Sequence, residues 1–302
     1  MPSTPARRAE VSADMLELSP IVAGLWRSVA WPLDAQQRVS WIEQALELGI
    51  SSFDHADIYG DYRAESLFGE ALKLAPALRH RMQLVSKCGI RLRSAELPYR
   101  INYYDTRAGY IRAQVEQSLR KLNTEQLDLV LIHRPDYLMD AAALAETFAT
   151  LTREGKVAHW GVSNHSTSQF ALLHQQHPLL TNQVELSPLQ LGALDDGTLD
   201  QAQQLGLRPM IWSPLGGARL FTGDDEQAVR VRAEMSAIAE RHGISLTTLA
   251  FAWALRHPSR PYVITGTGRI DGLRDAIAAL NVQLDNEDWY AIWVAGKGHG
   301  VP

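Results

Sequence analysis

Cysteine, long apolar runs and charge of one dominant sign are all scarce in this chain, and each scarcity removes a class of protein. The lone Cys88 in 302 residues excludes an intrachain disulfide and any Cys-rich zinc site, which fits a reducing compartment. No apolar run reaches the roughly 20 residues that a membrane helix needs. The start, Met1 to Asp14, has arginines without an apolar segment behind them, so it reads as a loose tail. Formal net charge is −5, and the basic residues are scattered, which removes the electrostatic footprint of a nucleic-acid or anionic-membrane binder. There is no H-E-x-x-H and no cysteine cluster, so no metal site is expected. The first apolar run is not followed by G-x-G-x-x-G, the usual mark of an open dinucleotide-binding sheet. Asn164-His165-Ser166 matches a glycosylation sequon for which a cytoplasmic chain has no use. A hydrophobic content of 46% still rules out disorder and supplies a full core. The expectation is a cytoplasmic monomer with a small-molecule partner.

What the chain does contain is alternation. Short apolar runs at Ile21 to Arg27, Ser51 to Asp57, Met82 to Cys88, Leu127 to His133, Ala158 to Asn164, Thr181 to Ser187, Arg208 to Pro214 and Tyr262 to Thr267 read as strands. Between them lie amphipathic stretches. Asp34 is an N-cap candidate with Val39, Ile42 and Leu46 on one face and Gly49 as the stop, and Ile111, Val115, Leu119 and Leu122 form another stripe. From Asp140 the design repeats with Leu144, Phe148 and Leu151, ended by Gly155. Near-continuous apolar runs such as Leu129-Val130-Leu131-Ile132 suit parallel strands buried on both faces. Eight such units predict a (β/α)8 TIM barrel, one domain over 1–302. Stretches at Ala228 to His242 and Leu246 to Arg256, and another after Asp285, predict extra helices after the seventh strand and at the C-terminus.

A parallel barrel presents its chemistry at the C-terminal ends of its strands. Asp54, Tyr59, Lys87 and His133 each stand at such an end or just past it. A phenol with pKa near 10 is a poor acid at neutral pH, and an adjacent ammonium is expected to lower it; two units would correspond to about 2.7 kcal/mol. Asp54 would anchor Lys87, Tyr59 would protonate an oxyanion developing on a carbonyl, and His133 would hydrogen-bond the same oxygen. Singly, each has an ordinary structural explanation, such as a packed aromatic, a core-edge histidine or an ion pair. A lysine deep in a barrel mouth, however, is costly unless it is paired.

Several segments together resemble the aldo-keto reductase family, and in particular a bacterial oxidoreductase subgroup. They are Phe53-Asp54-His55-Ala56-Asp57-Ile58-Tyr59-Gly60, Ser86-Lys87-Cys88-Gly89, Leu131-Ile132-His133-Arg134-Pro135, Gly161-Val162-Ser163-Asn164, Asn182-Gln183-Val184-Glu185 and Trp212-Ser213-Pro214-Leu215-Gly216. The resemblance implies reduction of an aldehyde or ketone, with Tyr59 as proton donor, Lys87 and Asp54 as its activators and His133 as the carbonyl-orienting group. It implies NADPH as cofactor, with NADH as the alternative hydride carrier. Ser163, Asn164 and Gln183 would hold the carboxamide and Trp212 would stack under the ring. Gly24, Arg27, Asp54, Ser213, Leu215, Gly216 and Arg219 would line the cofactor channel, and the loop Gly266, Thr267, Gly268 and Arg269, with Arg274, would meet the 2′-phosphate. Gly272 and Ala276 stand where relatives often carry Arg and Asn, which leaves Arg269 as the main determinant.

For the substrate the sequence offers aromatics. Trp26, with Trp31, and Tyr99, Tyr103 and Tyr104 are expected to wall a pocket beside Tyr59 and His133. Two other classes remain open at this stage. One is a cofactor-bound accessory subunit with little turnover, like the potassium-channel beta subunits of the same family; the other is a cofactor-free isomerase or aldolase using Lys87 as a Schiff base.

Overall fold

A computed structural model describes residues 16–93 and 99–302; the expected tail Met1 to Asp14 lies outside them. Eight parallel strands close into a barrel: β1 (Ile21–Gly24), β2 (Ser52–Asp54), β3 (Gln83–Cys88), β4 (Leu127–Ile132), β5 (Val157–Ser163), β6 (Asn182–Glu185), β7 (Met210–Trp212) and β8 (Tyr262–Thr265). Each strand pairs with its neighbours in sequence, and β8 closes against β1 through Ile21↔Val263. All eight expected strands are present, but most end earlier than their apolar runs, at Gly24 rather than Arg27 and at Asp54 rather than Asp57. Backbone bonds to β3 nevertheless run on to Asp57, whose N–H donates to the Lys87 carbonyl at 2.9 Å, and Tyr59 opens the short helical turn Tyr59–Tyr62 just beyond.

Alternation along each strand separates two apolar layers. Val22, Val85, Leu129, Leu131, Met210 and Ile264 fill the barrel interior, whereas Ile21, Phe53, Val130, Ile132 and Ile211 face the surrounding helices. The helices form where capping and periodicity agree. Ala35–Glu47 starts at a capping box made by Asp34 and Gln37, and Ala141–Arg153 starts at Asp140, whose carboxylate accepts from the Ala143 N–H. Replacing such a cap by Ala removes about 1 kcal/mol.

The expected extra helices exist. Glu226–His242 and Leu246–Leu255 follow β7, and Asn286–Lys297 is the last helix, each begun by a Ser or Asp cap. The last helix is tied to the first of these by Asp288, which pairs with Arg241 and lies 2.7 Å from His242 Nε2. One element was not foreseen: an antiparallel ribbon, Ile90–Arg91 with Tyr103–Tyr104, after β3. Arg91 fastens it, with Nε donating to Asp105 at 2.8 Å and the guanidinium 3.9 Å from the Tyr110 ring centre. Among the described residues no helix is long and apolar enough to cross a membrane.

Candidate active site

The inward-facing positions of the strands explain why a polar set gathers at one end. Continuing each interior series by two residues leads from Val85 to Lys87, from Ser52 to Asp54, from Leu131 to His133 and from Met210 to Trp212. The final interior layer is therefore polar. Gly24 sits in the same layer, where a Cβ would come 2.6 Å from Ile264 and 3.2 Å from the Thr265 carbonyl, so a side chain there would collide with β8.

Lys87 is the centre. Its Nζ donates to Asp54 Oδ2 at 2.7 Å, to the His55 carbonyl at 2.7 Å and to the Tyr59 hydroxyl at 2.9 Å, which uses all three of its N–H groups. Asp54 is fixed in turn by Gln183, whose Nε2 donates to Oδ1 at 2.9 Å. Burial acts to lower the Lys87 pKa, but Asp54 and Tyr59 outweigh it and the net shift is upward. Lys87 is thus held as an ammonium. Behind it, burial is the largest cause of the raised pKa of both Asp57 and Glu65, so these carboxyls carry less competing negative charge.

Tyr59 differs from expectation in one respect. Burial raises the phenol above its ordinary value, and Lys87 is the largest opposing influence without reversing the shift. The depression expected from the sequence counted the ammonium but not the loss of solvent around the phenolate. Tyr59 is therefore a protonated phenol at neutral pH, hydrogen-bonded to the Lys87 ammonium. His133 meets Tyr59 edge to face at 5.7 Å between ring centres, and burial, with Lys87 and Arg134 adding, holds its pKa well below the usual imidazole value. It is a neutral ring.

A cleft of about 940 Å³ opens over this set, lined by residues from the segments after β1, β2, β3, β4, β7 and β8. Asp54, Tyr59, His133 and Gln183 line it, as do Gly266, Thr267, Gly268 and Arg269 of the loop after β8. Gly24, Trp26, Arg27, Trp212, Ser213 and Leu215 also line it. Non-glycine residues with left-handed backbone cluster around the same rim: Asp61 (φ 56), Asn164 (φ 56), Ser213 (φ 52) and Ala218 (φ 82). Such conformations cost on the order of 1 kcal/mol or more each and gather where function fixes them.

Other expected residues are placed elsewhere. Ser163 and Asn164 stand behind the lining: Asn164 donates to Ser163 Oγ at 2.8 Å, Ser163 donates to the Gln183 carbonyl at 2.9 Å, and Trp212 Nε1 reaches Asn164 Oδ1 at 3.3 Å. Asn164 thereby anchors Trp212, which does line the cleft. Arg219 is not on the lining, because Asp225 takes its guanidinium in a two-point pair at 2.7 and 2.9 Å; Arg274 is held by Asp271 at 2.7 Å. At Gly216 a Cβ would come 2.9 Å from Leu189, and Gly217 and Ala218 line the cleft instead. Tyr99 and Tyr103 are turned to Arg91, which hydrogen-bonds the Tyr99 hydroxyl and lies 5.7 Å from the Tyr103 ring centre; Trp31 packs on Trp41 at 4.9 Å. In their place Ile90, Leu92, Phe221 and Phe251 supply apolar lining, and Arg134 and Asp275 supply charge. The ribbon that presents Ile90 has no strand-length pattern to reveal it. Arg134 stood in the segment Leu131 to Pro135, with nothing in the sequence to mark it as cleft lining.

Among the described residues no group of three or more His, Cys, Asp or Glu is arranged to hold a metal ion. The architecture agrees with what known proteins show. Residues 20–294 match the model of the Aldo/keto reductase family. The chain is 48% identical over 299 residues to oxidoreductase YdhF of Escherichia coli (strain K12), covering 98% of this chain and 99% of that protein. It is 40% identical over 300 residues to 6-dehydroglucose reductase of Agrobacterium fabrum, covering 96% and 98%. The crystal structure of an aldo/keto reductase from Klebsiella pneumoniae in complex with NADP and acetate superposes with a TM-score of 0.74 at 27% identity, over 91% of this chain and 90% of that one. The chain belongs to the aldo/keto reductase family.

Proposed function

We propose that this protein is an NADPH-dependent reductase that converts an aldehyde or ketone into an alcohol, with Tyr59 as the proton donor. The observation that carries the reading is Lys87 Nζ, which bridges Asp54 and the Tyr59 hydroxyl at the cleft floor. The names of the relatives and the NADP complex of the Klebsiella neighbour support it.

The residues fit a nicotinamide dinucleotide. The cleft is near the upper end of the usual ligand-pocket range of about 300–1,000 Å³. Trp212 is half-buried and lines it, offering a flat indole face to a planar ring. Gln183 uses its amide nitrogen on Asp54 and keeps its carbonyl oxygen for a carboxamide. Arg269 lines the cleft just before the helix Ile270–Ala278, where a guanidinium and backbone N–H groups suit a phosphate.

When bound, the dinucleotide supplies the hydride. Tyr59 gives its proton to the oxygen that gains charge, and the Lys87 ammonium stabilises the phenolate left behind. Asp54, held by Gln183, keeps Lys87 within reach of that oxygen. A neutral His133 has one N–H to offer and orients the carbonyl oxygen without bringing in a second cation. Ile90 and Leu92 add apolar lining that limits water in the cleft.

A Schiff-base role fits Lys87 poorly, since an ammonium with three acceptors has no lone pair for attack. The reading is tested by titrating the protein with NADPH and NADH, with tryptophan fluorescence as readout, followed by NADPH oxidation against a panel of aldehydes and ketones. Saturable NADPH binding with turnover of at least one carbonyl compound is expected. Absence of binding, binding without turnover, or a lysine adduct trapped by borohydride would refute it.

A further inference from the structure

The cleft contains a guanidinium that the proton-transfer set does not use. Arg134 follows His133 and lines the cleft together with Tyr59, His133 and Trp212. It is half-buried. Its hydrogen bonds run through one nitrogen, Nη1, to its neighbour's carbonyl, His133 O, at 2.9 Å and to Ser163 Oγ at 3.5 Å. Nε and Nη2 have no partner among the described residues. The guanidinium carbon lies 5.8 Å from the centre of the Trp212 ring, at the outer edge of cation–π range.

Charge in the surroundings leaves Arg134 without a close counter-ion. The Asp54 carboxylate is taken by Lys87. Glu185, half-buried at the end of β6, is pushed toward its neutral form by burial, with Arg134 acting against that shift. The cation is also felt at the reaction centre, since it adds to the lowering of His133 and works to lower Tyr59. A partly desolvated guanidinium with unused N–H groups is costly to leave unpaired. Its planar fork suits two oxygen acceptors at once, either the two oxygens of a carboxylate or neighbouring hydroxyls.

Building on the reductase reading, we propose that Arg134 is a specificity-determining residue that grips an oxygen-bearing group beyond the reacting carbonyl. The substrate class is then oxygenated aldehydes and ketones, with oxo acids and hydroxy-carbonyl compounds preferred over plain alkyl ones. Of the arginines lining the cleft, Arg27, Arg134 and Arg269, Arg134 is the one beside His133, which places its guanidinium with the carbonyl-orienting residue of the reading above.

Matched pairs test this. Succinate semialdehyde against butanal isolates a carboxylate, and glyceraldehyde against propanal isolates hydroxyls. Hydrogen bonds to a charged donor predict that kcat/KM favours the oxygenated member of at least one pair by about 10-fold or more in the wild type. Arg134→Met should bring that ratio close to one, and Arg134→Lys should retain part of it for the carboxylate pair. The dissociation constant for NADPH, from fluorescence titration, should change less than about threefold in either variant. Competitive inhibition by succinate should weaken about 10-fold in Arg134→Met, a readout independent of any one aldehyde. A wild type that turns over both members of each pair equally, or a preference that survives Arg134→Met, overturns this inference and leaves the reductase reading standing. Equal preference in both proteins together with a tenfold loss of NADPH affinity would assign Arg134 to the dinucleotide instead. A wild type that reduces no carbonyl compound at all overturns both.

Discussion

Breaking the buried Lys87–Asp54 pair on one side should destabilise the protein by several kcal/mol, and the losses from the two sides should not add. The Lys87 side chain is 0% exposed and that of Asp54 4%, with 2.7 Å between their charged atoms. Lys87→Met leaves the Asp54 carboxylate with only the Gln183 bond to Oδ1, and Oδ2 with no partner. An orphaned buried charge of this kind costs about 3–5 kcal/mol. Asp54→Asn leaves the opposite charge, an ammonium supported by the His55 carbonyl and the Tyr59 hydroxyl. In the double variant no net charge is stranded, so its loss should be smaller than the sum of the single losses by about 2 kcal/mol or more. The measurement is urea unfolding of the cofactor-free protein, followed by circular dichroism and read as midpoints and slopes. Single losses below about 1 kcal/mol, or simple additivity, would refute the view that Lys87 is held as a cation by Asp54.

Three further outcomes are expected. Tyr59→Phe keeps the ring but removes the proton donor, so turnover should fall by about 100-fold or more with NADPH affinity nearly unchanged; unaltered turnover would exclude the assigned role. His55 is fully buried, and burial, with Lys87 adding, holds its pKa at about 3. It stays neutral in the folded protein while the unfolded chain takes up a proton near pH 6.5. Relative to His55→Leu, the wild type should therefore lose up to about 1.4 kcal/mol per pH unit as pH falls from 6.5 toward 3, with no such change above 6.5. Parallel acid limbs in urea melts of the two proteins would contradict this. Arg269 lines the cleft but is exposed, so solvent screening limits its grip on a 2′-phosphate. Arg269→Ala should weaken NADPH by about 10-fold and NADH by little; equal losses for the two would show that this loop does not read the phosphate.

Local pattern was enough to give the eight strands, their order and the helix starts at Asp34 and Asp140, because capping and periodicity act within a few residues of the chain. The placement of Asp54, Lys87 and His133 at strand ends was equally readable, since an interior position followed by another two residues later must face the same way. Tertiary structure decided the rest. Gln183 reaches Asp54 across 129 positions of sequence, and no periodicity announces such a bond. The expected pocket tyrosines Tyr99 and Tyr103 went to Arg91, and Arg134 took a place in the cleft, because a guanidinium has no local rule telling it which partner it will meet. The direction of the Tyr59 shift was likewise out of reach. A motif names the nearby cation, but the opposing desolvation comes from every group that excludes water from the phenol, and that sum exists only once the barrel has closed.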